Sequence, residues 1–370
     1  MKLPLVHFFE TSFGRIDDKH FIVVRAEGGG AAGYGECVAE QDPYYSAETN
    51  ETVWHVIKDF LAPRVIGAAF AHPRDVFPAL GAIRGHHMAK AAVEMAAWDL
   101  FATLGGIPLS RAIGGTRDRI ASGVSIGIQP SLDALAAKVE RELAAGYRRI
   151  KIKIKPGWDI RPVEFLRERF GAIPLMVDAN AAYTLADAGH LAALDAFALM
   201  MIEQPLDYDD IADHATLQRR LQTPICLDES IKSVHIAREA IAAGACRIIN
   251  IKPGRVGGIA QSIALHDLCA SHQMPVWHGG MLESGIGRAA NVHLSTLPNF
   301  SLPGDVAASQ RYFDPDVIDP PIEVAADGTI AVPTGAGLGV GICAERLERA
   351  TLRKLTLDAS DVSGVKSHIR

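Results

Sequence analysis

Residues 149–254 hold five short apolar runs that each end in a charged side chain: RIKIKIK (149–155), PLMVDAN (174–180), LMMIEQP (199–205), PICLDES (224–230) and IINIKPG (248–254). The charged residues are Lys153, Asp178, Glu203, Asp228 and Lys252, separated by 25, 25, 25 and 24 residues. A run of that kind is a buried parallel strand, and about 25 residues accommodate one strand, one helix and two short loops. Five successive strand ends therefore carry polar groups to one place. In a closed α/β barrel that place is the mouth.

The same period extends outward. ASGVSIGI (121–128) reads as the first strand, and Ser131 can cap a helix that puts Leu132, Leu135, Val139 and Leu143 on one face before Gly146. VEFLRERFG, a Leu/Ala-rich stretch at 185–195, TLQRRLQ, VHIAREAIAAG and IAQSIALHDLCASHQ read as the intervening helices. MPVWHGG is a seventh strand, and GRAANVHLSTLPNF (287–300) ends near an eighth. Residues 1–118 have a different rhythm, α+β in type. FIVVRAEGGGAAGYGECVAE (21–40) predicts two strands around a glycine turn, followed by helices near 50–61 and 87–104, the second stopped by Gly105-Gly106. The expected organisation is a first unit over 1–118, a barrel over 119–317, and a tail over 318–370 that returns to the first unit.

Composition narrows the class of function. The 370 residues are 48% hydrophobic and 22% charged, as in an ordinary globular protein. A net charge of −6 argues against nucleic acid or an anionic membrane as partner. No uninterrupted apolar stretch predicts a membrane span, and MKLPLVHFFETSFGR does not read as a secretory signal. Five cysteines without CxxC spacing read as reduced thiols, so the expected compartment is the cytoplasm.

Three carboxylates that meet in a dry pocket repel one another, and a hard divalent cation relieves this; Mg²⁺ suits an all-oxygen site, with Mn²⁺ or another divalent ion as a substitute. Lys153 and Lys252 end strands two and six of eight, half a barrel turn apart. A lysine is a poor base at neutral pH unless nearby cations lower its pKa. Strand alternation places Lys151, Lys153 and Lys155 together, and Arg255 lies three residues beyond Lys252. Two amines facing each other over a metal-bound carboxylate form a two-base device for moving the proton α to that carboxylate. The expected partner is thus a small-molecule carboxylate.

The segments KIKIKPGWD, MVDAN, IEQP, CLDES, NIKPGRVGG and WHGGMLESGIGRAANVHLSTLPNFSLPGD, with FETSFGR, YGECVAEQDPYYS and MAKAAVEMAAWDL upstream, resemble the enolase superfamily. Within it they resemble the muconate-lactonizing subgroup, and more narrowly the N-acylamino acid racemase/o-succinylbenzoate synthase family. The resemblance implies an α/β fold: a modified (β/α)₇β TIM-type barrel with an N-terminal α+β capping domain completed by the C-terminal tail. It implies Mg²⁺ on Asp178, Glu203 and Asp228, catalysis by Lys153 and Lys252, and Lys151 near the substrate carboxylate. Asn180 and Arg255 take supporting positions, with Arg255 tuning Lys252. Ser125, Gly280, Met281 and Tyr312 line the pocket, and Phe13 and Tyr45 contact substrate from the cap, where FETSFGR is a closing loop. The implied reactions are racemisation of N-succinyl amino acids and syn-dehydration to o-succinylbenzoate for menaquinone synthesis. A homo-oligomer is expected by analogy only.

Other readings turn on particular residues. His278 ends strand seven, as in a mandelate-racemase-like enzyme, but strand six lacks the aspartate that would orient its ring. A dipeptide epimerase would carry a paired acidic motif near strand eight, where GDVAAS offers only Asp305. A cycloisomerase of the same subgroup stays open. A Schiff-base aldolase also uses a lysine on strand six but needs no carboxylate trio, and a metal-stabilised binding scaffold needs no opposed amines. His86-His87 diverge on a helix and read as cap surface or interface. GAGLGVG lacks GK[ST] and reads as a turn-rich contact beneath the cap.

Overall fold

The computed structural model describes residues 1–12 and 14–362. The N-terminal part opens with two antiparallel hairpins, β1 (Lys2–Glu10) with β2 (Arg15–His20) and β3 (Ile22–Gly28) with β4 (Ala31–Cys37). Helix His87–Leu104 packs across β4 so closely that a Cβ at Gly35 would lie 2.0 Å from the Ala92 carbonyl. That contact requires glycine. The alanine-rich face of the helix (Ala89, Ala92, Ala96) is the other half of the same fit. The stretch predicted as one helix near 50–61 is α-helical over Asn50–Val56 and continues as a wider π turn over Ile57–Leu61.

After a short strand β5 (Arg119–Ala121), seven parallel strands follow: β6 (Val124–Ile126), β7 (Ile150–Lys153), β8 (Leu175–Asp178), β9 (Ile202–Glu203), β10 (Ile225–Leu227), β11 (Ile248–Ile251) and β12 (Val276–His278). They pair in strict chain order. The predicted eighth strand is reduced to two single bridges, Val276 with Phe300 and Ser122 with Gly304, which join the seventh strand back to the first. Pro298 and Pro303 flank those bridges, and a proline cannot donate to a ladder. The helix expected at 185–195 is broken into 3₁₀ and α turns between Leu185 and Phe197.

Alternation along the strands separates two interiors. Met176, Met201, Cys226, Ile248 and Trp277 form an apolar plug inside the barrel. Two residues further along the same strands come Asp178, Glu203, Asp228 and Asn250, all at most 1% exposed. The apolar plug thus seals the floor on which the polar groups stand. The chain after 318 runs beneath: β13 (Ile318–Asp319) pairs with Gly341–Ile342, and β14 (Thr329–Ala331) pairs with β5. The Gly337 turn exchanges hydrogen bonds with Ile107 and Leu109, and Leu338 N donates to Asp99 at 2.7 Å. GAGLGVG is thus a packing turn against the end of helix His87–Leu104.

Candidate active site

At the mouth, Asp178 ends β8, Glu203 ends β9 and Asp228 follows β10, and Asp178 and Glu203 are partners in the ladder. The trio is not left to repel unopposed, because lysines stand between its members. Lys151 Nζ lies 2.9 Å from Glu203 Oε2 and 3.3 Å from Asp178 Oδ2. Lys153 Nζ lies 2.5 Å from Asp178 Oδ2, and Lys252 Nζ 2.7 Å from Asp228 Oδ2. Among the described residues, no three acidic, histidine or cysteine side chains stand together as a ready metal cluster. Each carboxylate is instead turned onto an ammonium group.

The electrostatics follow from this pairing. Burial alone would raise the Asp178 carboxyl, but Lys153 and Lys151 outweigh it and hold it below the usual range. Asp228 behaves alike under Arg255 and Lys252. Glu203 goes the other way, pushed up by burial and by the Asp178 charge despite Lys151. Of the three, Glu203 alone keeps a repulsion from Asp178 that its lysine does not cancel. Three buried all-oxygen donors on adjacent strand ends, with that repulsion left over, fit a hard divalent cation.

Lys252 was expected to be lowered by neighbouring cations. In this structure burial does lower it, but Asp228 and Tyr45 more than offset burial and hold it above the ordinary lysine range. Lys151 is likewise held up, by Asp305, Glu203 and Asp178 acting against burial. Lys155 leaves the group altogether. It lies past the end of β7, 41% exposed, 3.9 Å from Glu10.

A cavity of about 210 Å³ opens above this floor. Its walls include Lys151, Lys153, Lys252, Ser125, Asn180, Gly280, Met281, Tyr312 and Tyr45, which the sequence reading had gathered. Lys153 and Lys252 reach it from β7 and from the end of β11, four places apart in the sheet order. Arg255 stands behind Asp228 and off the cavity wall; it pairs with Asp228 Oδ1 and with the Ile231 and Asn250 carbonyls. Phe13 lies outside the described residues. Ser12 reaches the rim, where its Oγ donates to the Asn180 carbonyl at 3.3 Å. Ile128 N donates to the Glu10 carbonyl at 3.1 Å.

Asn250, Gln204 and Arg149 have supporting roles that escaped the sequence reading, whereas Asn180 and Asp305 were named in it. Asn250 Nδ2 donates to Glu203 Oε1 at 2.6 Å, which fixes the carboxylate from below. Gln204 Oε1 accepts from Asp228 N and Ser230 N, so the IEQP glutamine shapes the Asp228 turn. Asn180 bridges Lys153 and Glu229 through its amide, at 2.7 and 2.9 Å. Asp305 is clasped by Arg149 and Lys151 at 2.5 Å each. Strand alternation offered the one usable signal, since Asn250 and Arg149 share inward parity with Lys252 and Lys151. His278 points away from the mouth and stacks on Phe300 at 6.0 Å.

Family models for the mandelate racemase/muconate lactonizing enzyme N-terminal domain and the enolase C-terminal domain-like region match residues 2–114 and 134–346. The chain belongs to the enolase superfamily. It is similar to an o-succinylbenzoate synthase of Geobacillus kaustophilus, 53% identical over 95% of this chain and 94% of that one. It is 47% identical to an N-succinylamino acid racemase of Amycolatopsis sp, over 96% of each chain. A crystal structure of an enolase-superfamily member from Listeria innocua superposes with a TM-score of 0.92 at 40% identity, covering 95% of both chains. This enolase-superfamily enzyme therefore shares its whole architecture with those relatives, and no helix among its described residues is long and apolar enough to cross a membrane.

Proposed function

We propose that this enzyme moves the proton α to a carboxylate, with N-succinyl amino acids as substrates for racemisation and the o-succinylbenzoate precursor as a substrate for syn-dehydration. The observation that carries the reading is the approach of Lys153 and Lys252 to one cavity from strands four places apart, above three buried carboxylates. Asp178, Glu203 and Asp228 would hold Mg²⁺, which when bound supplies the charge that makes the α proton acidic and stabilises the enolate. Once substrate displaces the ion pairs seen here, the Lys153 and Lys252 amines address opposite faces of the α carbon. One removes the proton and the other returns it to the far face in racemisation; in dehydration Lys153 acts as base and then acid on one face while Lys252 stays cationic. Lys151, held by Glu203 and Asp305, is placed to receive the substrate carboxylate. The loop through Ser12 closes over the acyl group and keeps water out. Arg255 fixes the Asp228 carboxylate beside Lys252 and favours the two-base outcome.

Asp305 bears on the epimerase alternative. Its carboxylate is already shared by Arg149 and Lys151, so it has no role left for a substrate ammonium group. An uncharged acyl amide fits better. The domain limits 1–118, 119–317 and 318–370, a cytoplasmic location and a homo-oligomer belong to the same proposal.

Each enantiomer of N-succinylphenylalanine, incubated in D₂O with Mg²⁺, tests the reading alongside a dehydration assay. Inversion with α-deuterium uptake, abolished by a chelator and restored by Mg²⁺, is expected. Exchange without inversion would restrict the enzyme to dehydration. Absence of exchange and of dehydration together would refute the reading.

A further inference from the structure

Each of the two opposed lysines is held in the same way, by one carboxylate of the trio and one uncharged oxygen. Lys153 Nζ donates to Asp178 Oδ2 at 2.5 Å and to the Asn180 side-chain carbonyl at 2.7 Å. Lys252 Nζ donates to Asp228 Oδ2 at 2.7 Å and to the Tyr45 hydroxyl at 2.8 Å. The origins of the uncharged oxygens differ. Asn180 lies 27 residues from Lys153, just past the next strand of the barrel. Tyr45 lies 207 residues from Lys252, in the N-terminal part of the chain beyond β4.

The stem of Lys252 is confined as well. It crosses Gly279 so closely that a Cβ there would lie 2.6 Å from Lys252 Cε. Tyr45 also presents its ring to the ammonium, with Nζ 5.0 Å from the ring centroid. A lysine ends in rotatable donors on a flexible stem, so the direction of its nitrogen is set by the partners at its tip. On Lys252 two positions are taken by Asp228 and Tyr45, which leaves the third for the cavity that Lys252 lines.

We propose that Tyr45 is the positioning residue of Lys252: its hydroxyl holds the amine in line with the α carbon, so the N-terminal part supplies one half of the two-base device. The proposal rests on the two-base reading above. Asp228 is one of the carboxylates assigned to Mg²⁺, and its hold on Lys252 is given up when it turns to the ion. The Tyr45 oxygen is neutral and stands outside that trio, so its hold remains. Asn180 does the same for Lys153 from within the barrel. Proton transfer at carbon demands both reach and line of approach, and about 1 Å of misplacement costs on the order of 10²-fold. Loss of the Tyr45 hydroxyl therefore handicaps one face of the substrate more than the other.

Tyr45→Phe tests this, because it keeps the ring and removes only the oxygen. α-Deuterium uptake from each enantiomer of N-succinylphenylalanine is followed separately in D₂O, at saturating Mg²⁺ and substrate, for wild type, Tyr45→Phe and Lys252→Ala. Lys252→Ala identifies the enantiomer whose proton Lys252 removes. Tyr45→Phe should slow uptake from that enantiomer by roughly tenfold or more relative to the other, in kcat rather than KM. A purely structural role, or weakened Mg²⁺ binding through the 3.3 Å contact of Tyr45 with Asp228, would slow both enantiomers alike. Equal slowing, no slowing, or slowing of the opposite enantiomer would overturn the proposal and leave the two-base reading standing. If Lys252→Ala itself shows no preference between enantiomers, the two-base reading falls and the proposal with it.

Discussion

Two groups of buried carboxylates in this molecule make opposite use of the same chemistry. At the mouth, Asp178, Glu203 and Asp228 face ammonium and guanidinium groups. At the seam between the N-terminal part and the barrel, Glu36 and Glu94 form no ion pair with a cationic side chain among the described residues and instead grip helix starts. Glu94 accepts from Ile259 N and Ala260 N at 2.7 and 2.8 Å, at the head of helix Ile259–Ser271. Glu36 accepts from Ser284 N, Ser284 Oγ and Gly287 N, at the head of helix Gly285–Leu294. Backbone N–H groups at a helix start are fixed partners that hold a carboxyl group in one place. Ammonium groups on flexible stems satisfy it provisionally and can be exchanged for a metal ion and a substrate. The seam is built for stability and the mouth for replacement of partners.

The sharpest division of the two groups comes from the lysines. Lys153→Ala and Lys252→Ala should each lower racemisation by roughly 10²–10⁴-fold, the range for loss of an acid–base group, while thermal unfolding stays within a few degrees of wild type. Unfolding of either variant at room temperature would make these lysines structural. Glu203→Gln comes next. It removes an anion that is repelled in place, so Mg²⁺-dependent turnover should collapse with little loss of stability, read by activity across a Mg²⁺ titration and by calorimetry.

The converse holds at the seam. Glu94→Ala leaves the Ile259 and Ala260 backbone N–H groups and the Trp98 indole N–H without an acceptor and should cost on the order of 1–3 kcal/mol of stability, with the turnover number within a few-fold of wild type. pH refines this further. Burial pushes Glu36 and Glu94 up to about 7 from an ordinary 4.5. A carboxyl raised on folding contributes its stability fully below about 4.5 and loses it as pH rises through about 7. The melting temperature of wild type should therefore fall relative to Glu94→Gln between pH 5 and pH 8. Parallel profiles would show that Glu94 ionises in the fold as easily as in the unfolded chain.

Much of the mouth was legible in the sequence, because a strand has period two and the barrel has period 25. Together they brought Lys151, Lys153 and Lys252 to one cavity and the carboxylate trio to the floor beneath it. Ser125, Asn180, Gly280, Met281 and Tyr312 reached the wall on the strength of the family resemblance. What escaped was set by contacts between distant parts of the chain. The pairing of lysines with the trio reflects side-chain rotamers, and Arg255 went behind Asp228 because its short helix turns it inward. The lost eighth strand was the most readable miss, since Pro298 and Pro303 were in view. Glu36 and Glu94 gave no local sign, because the helices they cap lie 165 or more residues away.

Stereospecific exchange in the single-lysine variants tests the central claim most directly. Followed by NMR in D₂O with Mg²⁺, Lys153→Ala should lose α-deuterium uptake from one enantiomer of N-succinylphenylalanine and Lys252→Ala from the other, with neither variant inverting its substrate. Uptake from both enantiomers persisting in either variant would contradict two opposed amines acting on a single carbon.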